Sequence, residues 1–118
     1  DNMVEIGHDL LAFRGQDGHM WMEARLQLDV ITNVALNMGF NDDASEDSNT
    51  LPIELSTTTF TSNATTFVGM VYDVDATNDQ VHAFWVDDDT DTTEAIADLR
   101  FTSFAPTAAR WFTLRGDW

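Results

Sequence analysis

Cysteine and lysine are both missing from this chain. Without cysteine there is no disulfide and no thiolate metal site, so a packed core has to hold the fold, and redox chemistry gives no clue to the compartment. Without lysine, positive charge comes from five arginines, set against 21 aspartates and glutamates for a formal net charge of -16. Duplex DNA and anionic membranes repel such a surface, because binding to them rests on basic side chains neutralising phosphates. Neither nucleic acid nor a membrane is therefore expected as a partner. No apolar run approaches the roughly 20 residues that a membrane span needs. The opening stretch DNMVEIGHDL has no basic region followed by an apolar one. Because it begins at Asp1 without methionine, the chain reads as a processed product or a fragment of a longer protein.

What is present fits one domain over residues 1–118, large enough to bury about two-thirds of the surface that its unfolded form exposes. So many carboxylates repel one another at low ionic strength. Near 1 M salt, where the Debye length is about 3 Å, that penalty largely vanishes. The composition suits a marine or hypersaline setting, or serves solubility at ordinary salt.

The periodicity is that of strands. Met20, Met22, Ala24, Leu26, Leu28 and Val30 alternate with Trp21, Glu23, Arg25, Gln27 and Asp29, the pattern of a half-buried strand. VALNMGFND repeats it, with Val34, Leu36, Met38 and Phe40 inside and Ala35, Asn37, Gly39 and Asn41 outside. A turn at Ile31-Thr32-Asn33 predicts that the two form an antiparallel hairpin. Residues 41–50 are an acidic loop, and Pro52 limits what LPIEL can do in a sheet centre. STTTFTSNATT is compatible with a strand. TTFVGMVYDVD and QVHAFWVDDD are apolar on both faces near their middles, as strands covered on both sides or lining a groove are. Residues 87–98 read as a loop in preference to a short helix. LRFTSF and RWFTLR complete roughly seven or eight strands, which points to a β-sandwich or barrel, with no internal repeat and no linker. The expected fold is all-β, an antiparallel two-sheet sandwich whose core includes Met22, Leu26, Leu28, Leu36, Met38, Val68, Met70 and Leu114.

Read in order, HMWMEARLQLD, VALNMGFND, TFVGMVYDVDA and the aromatic strand ending WFTLR resemble a concanavalin-like, laminin-G-like jelly-roll domain. The variant is that of virion structural proteins of tailed phages, above all those of marine bacteria. The residues that carry the resemblance are Trp21, Glu23, Ala24, Arg25, Gly39, Phe40, Phe67, Val68 and Gly69. It implies a jelly-roll sandwich and a capsid decoration protein, or a head or tail fibre domain, at the virion surface, binding major capsid or other virion proteins. In similar proteins further strands follow the one matching FTLR, so the chain reads as truncated or as completed by a partner.

Catalytic constellations do not emerge. Glu23 and Asp29 share a strand face, but six residues at ~3.3 Å each place them about 20 Å apart, too far for a glycosidase pair. Glu23 and Arg25, two apart on that face, read as a surface ion pair. His8, His19 and His82 lie on separate segments without metal-ligand spacing. No nucleophile elbow or phosphate-cradling glycine loop occurs. The expectation is a protein that is not an enzyme. Two acidic sets, Asp73, Asp75 and Asp79, and Asp87, Asp89 and Asp91, have oxygen ligands at spacings that calcium could use. Thr92 stands where an EF-hand needs glycine, and solvated acidic loops account for the same residues. Asn63-Ala64-Thr65 is formally a glycosylation acceptor and reads as chance.

Four tryptophans, Trp21, Trp85, Trp111 and Trp118, are the natural anchors of an interface with coat subunits or with further copies in a homo-oligomer. The competing reading is a carbohydrate-binding module in which Trp21 and Trp111 stack on a glycan of a host surface. The tripeptide Arg115-Gly116-Asp117 reads as the end of a strand and not as an adhesion loop.

Overall fold

The computed structural model describes residues 18–41, 51–77, 79–87, 90–91 and 104–117. They form eight strands: β1 (Trp21–Gln27), β2 (Ala35–Asn41), β3 (Ile53–Ser56), β4 (Thr59–Ser62), β5 (Phe67–Asp73), β6 (His82–Asp87), β7 (Thr90–Asp91) and β8 (Trp111–Asp117). Every pairing between them is antiparallel, and no helix occurs among the described residues. The fold is thus all-β, as the alternation predicts. The acidic loop at 42–50, most of LRFTSF and most of residues 87–98 lie outside the described residues.

β2, β5, β6 and β7 form a central sheet in that order. β5 is buried on both faces, as its apolar run predicts, whereas β6 is covered on one face only, with Ala83, Trp85 and Asp87 exposed on the other. On one side lies a two-stranded ribbon of β1 and β8, on the other the β3–β4 hairpin. Against the ribbon, Met38, Met70, Tyr72, Val81 and Leu114 are buried, joined by half-buried Met22, Ala24, Leu26, Leu28, Leu36 and Phe112. Against the hairpin, Phe67, Val71, Phe84 and Val86 pack on Ile53, Leu55 and Ala64. The core positions expected from the sequence fall into the first cluster, except Val68, which is half-buried.

The expected hairpin between the first two strands does not form. β1 pairs with β8, in register Glu23↔Arg115, while β2 pairs with β5, in register Met38↔Met70. Residues 28–34 carry the chain from the ribbon to the central sheet. Alternation is the same for a hairpin and for such an arch, since in both the apolar sides of the two strands meet a common core. Pairing partners are what distinguish them, and these come from the middle of the chain for β2 and from its far end for β1.

A second correction concerns Asn37, assigned above to the outside. Its side face is covered by β3. The amide accepts from the Ile53 N–H at 2.9 Å and donates to the Ile53 carbonyl at 3.0 Å. One step along, the Leu55 N–H donates to Asp73 Oδ2 at 3.3 Å. Further on, the Thr57 N–H donates to the Asp75 carbonyl at 2.7 Å and the Thr77 N–H to the Thr57 carbonyl at 2.8 Å. Two side chains and a short parallel bridge therefore do for one edge of β3 what a neighbouring strand would do. Pro52, whose carbonyl takes the Asn63 N–H at 2.8 Å, sits just before β3, where its missing N–H costs nothing.

Candidate functional site

The outward face of the ribbon gathers the chemistry. In β1 the odd residues point out: Trp21, Glu23, Arg25 and Gln27 are exposed. In β8 so do Trp111, Thr113, Arg115 and Asp117. Trp21 is 61% and Trp111 59% exposed, unusually open for so large an apolar group. Each indole is braced by the other strand. The Arg25 guanidinium lies 5.0 Å from the Trp111 ring centre, and that of Arg115 lies 5.3 Å from Trp21. These are diagonal neighbours in the register, within reach of long side chains.

Arg115 also bonds Asp117 through Nε at 3.1 Å and Nη2 at 3.2 Å, and stands 3.9 Å from Glu23. His19 Nε2 lies 3.4 Å from Asp117. The hydrogen bonds and charge of Arg115 hold the Asp117 carboxyl below its ordinary range, and in return raise the guanidinium further. The ion pair of Glu23 is thus with Arg115 across the strands and not with Arg25. The arginine and aspartate of Arg115-Gly116-Asp117 are tied to each other on a strand, not displayed at a loop tip.

The strands match each other in a way that only their pairing makes visible. β1 begins Trp21-Met22-Glu23-Ala24-Arg25 and β8 begins Trp111-Phe112-Thr113-Leu114-Arg115. Both read tryptophan, x, polar, x, arginine. Paired antiparallel about Ala24↔Leu114, the two copies are related by a local two-fold axis through that pair. One Trp–Arg stack lies at each end of the ribbon, with the two indoles about 20 Å apart along the strands. Five residues separated by most of the chain are too short a repeat to notice until the register superposes them.

The other expected anchors lie elsewhere. Trp85, 46% exposed, sits on β6 of the central sheet, in a row with Val68 and Phe40. Trp118 lies outside the described residues. Of the acidic sets, Asp73 is 7% exposed and both its oxygens take backbone N–H groups, from Leu55 and Asp75, while Asp75 and Asp79 are exposed. Burial raises the Asp73 carboxyl above its ordinary value; the two hydrogen bonds lower it, and the nearby charges of Asp75 and Glu54 raise it again. Among the described residues no group of three acidic or histidine side chains could hold a metal ion. Asp87 is exposed at the end of β6; Asp89 and the side chain of Asp91 lie outside the described residues. His82 is buried in the core, far in sequence and setting from His19, and His8 lies outside the described residues. The Asn63 amide donates to the Leu51 carbonyl at 2.8 Å, a structural task. Among the described residues, no helix is long and apolar enough to cross a membrane.

No protein-family model, curated protein or solved structure matches the chain.

Proposed function

We propose that this chain is a non-catalytic interaction domain that docks a partner protein on the outward face of the β1–β8 ribbon. The observation that carries the reading is the pair of exposed tryptophans, each held in place by an arginine of the opposite strand. A braced indole loses little freedom on binding, and buried tryptophan and arginine side chains dominate the energetics of protein interfaces. In the finer reading of the fold, ribbon and central sheet are the two leaves of a jelly-roll sandwich. The setting we propose is a virion surface, where a decoration protein or fibre domain of this kind clasps coat subunits; the sequence resemblance is what supports that setting. A glycan is the competing ligand, and it would have to share each indole with the guanidinium already over it.

A photocrosslinking residue at Thr113, in the middle of the face, tests the docking reading in the native source. Covalent adducts with another protein chain are expected from Thr113 and not from Thr61 on the distant hairpin. No protein adduct from Thr113, or saturable quenching of tryptophan fluorescence by a glycan, would overturn it.

A further inference from the structure

We infer that the ribbon face docks a second copy of this chain, face to face, about a two-fold axis lying in the interface. The inference rests on the reading of this face as a docking surface and names its occupant. Charge is the first argument. The outward residues of β1 and β8 hold two arginines, Arg25 and Arg115, and two carboxylates, Glu23 and Asp117, so the face is balanced. The formal net charge of -16 therefore lies entirely off it. Two molecules this acidic repel each other at almost any other approach. On this face the contact itself adds no net like-charge opposition.

The register supplies the second argument. A two-fold contact is self-complementary: whatever a residue meets in the other copy must meet it in return. Turned over about an axis parallel to the strands, one ribbon presents each residue to the cross-strand partner of its counterpart. Glu23 then meets Arg115 of the second copy, Trp21 meets Asp117, Arg25 meets Thr113 and Gln27 meets Trp111. Turned over about the axis that runs across the strands through Ala24↔Leu114, Glu23 meets Arg25, Thr113 meets Arg115, Trp21 meets Gln27 and Trp111 meets Asp117. In both arrangements every glutamate faces an arginine and no like charges oppose each other. The internal two-fold of the ribbon is the reason that both succeed. Aligned face-to-face packing of twisted sheets, with strands about 30° apart, suits either.

The face is small. Seven residues at ~3.3 Å give a length of about 23 Å, two strands wide, below the roughly 800 Å² per partner of a stable complex. A weak dimer follows, with a Kd of roughly micromolar to millimolar. It tightens with salt, because screening the long-range repulsion between two acidic molecules outweighs weakening two exposed charge contacts.

Sedimentation equilibrium of the purified chain tests this at about 0.05 M and about 1 M NaCl. A dimer at high salt that dissociates at low salt is expected. Glu23→Arg sets arginine against arginine in either arrangement, and Thr113→Arg does the same without touching the Glu23–Arg115 contact; each should leave a monomer with unchanged circular dichroism. Mixing Glu23→Arg with Arg115→Glu should restore a heterodimer for the first axis, and with Arg25→Glu for the second. A chain monomeric at every salt, or a dimer indifferent to both Glu23→Arg and Thr113→Arg, overturns the inference. If such a monomer still gives Thr113 adducts with another protein, the docking reading stands and only its occupant is wrong.

Discussion

Asn37 is a single residue that does the work of a strand. Its amide satisfies both the N–H and the carbonyl of Ile53, which is fully buried. Replacing it with alanine leaves two backbone groups without partners, each costing about 1–3 kcal/mol. Asn37→Ala should therefore lower stability by roughly 2 kcal/mol or more, read as a reduced urea midpoint. Alternation in the sequence put Asn37 on the outside, since polar side chains at odd positions look solvated when nothing reveals that a second layer covers them. Asp73 has a matching task and titrates accordingly. Its folded pKa lies above the unfolded value, so between the two the native state holds more protons. Stability then falls as pH rises through that window and is regained on acidification toward the ordinary aspartate range, near 4. In Asp73→Asn this part of the pH profile should be absent, which thermal melts of both proteins from about pH 4 to pH 7 would show.

Among the elements, β2 and β5 meet where two glycines oppose each other, Gly39 and Gly69. A methyl group on Gly39 would strike the Val68 carbonyl and come within 2.6 Å of the Gly69 Cα; one on Gly69 would strike the Met38 carbonyl and come within 2.8 Å of the Phe67 ring. The obstacles are mostly backbone, which cannot swing away. Gly39→Ala and Gly69→Ala should each cost about 2–3 kcal/mol, with β2 and β5 amides losing hydrogen-exchange protection first. Strand positions were legible in the sequence for β1, β2 and β8 from their alternation, and for β5 and β6 as short runs apolar on both faces. Strand partners were not. β1 lies against β8 and not β2, and the docking face exists only through that pairing, which brings Trp21 to Arg115 and Trp111 to Arg25. The tryptophans are legible in the sequence but their braces are not, and spacing along β1 pairs Arg25 with Glu23 where the fold pairs Glu23 with Arg115.

At the scale of the whole molecule, the excess of carboxylates is the dominant electrostatic fact, and it was plain from composition alone. Little in the described structure neutralises it: the ion pairs gather on the ribbon and involve Arg115, His19, Glu23 and Asp117. Self-repulsion elsewhere should make the folded state more stable as salt rises. The melting temperature is expected to climb between about 0.05 M and about 1 M NaCl, over the range in which the Debye length contracts from more than 10 Å to about 3 Å. Scanning calorimetry at dilute protein separates this from association, which would add a dependence on protein concentration.

The ribbon is assembled from strands whose partners stand about 90 residues apart in the chain. Closing a loop of that length costs about 4 kcal/mol of entropy before the first cross-strand contact repays any of it. The ribbon is accordingly a late event in folding, completed on a sheet already formed. During synthesis β1 emerges before β8 and stands without its mate until β8 has left the ribosome. Until then a nascent copy carries neither both braced indoles nor the two-fold that presents them. The proposed self-recognition through this face is thereby closed to any chain that has not yet made β8, and such chains on one messenger are kept from clasping their neighbours.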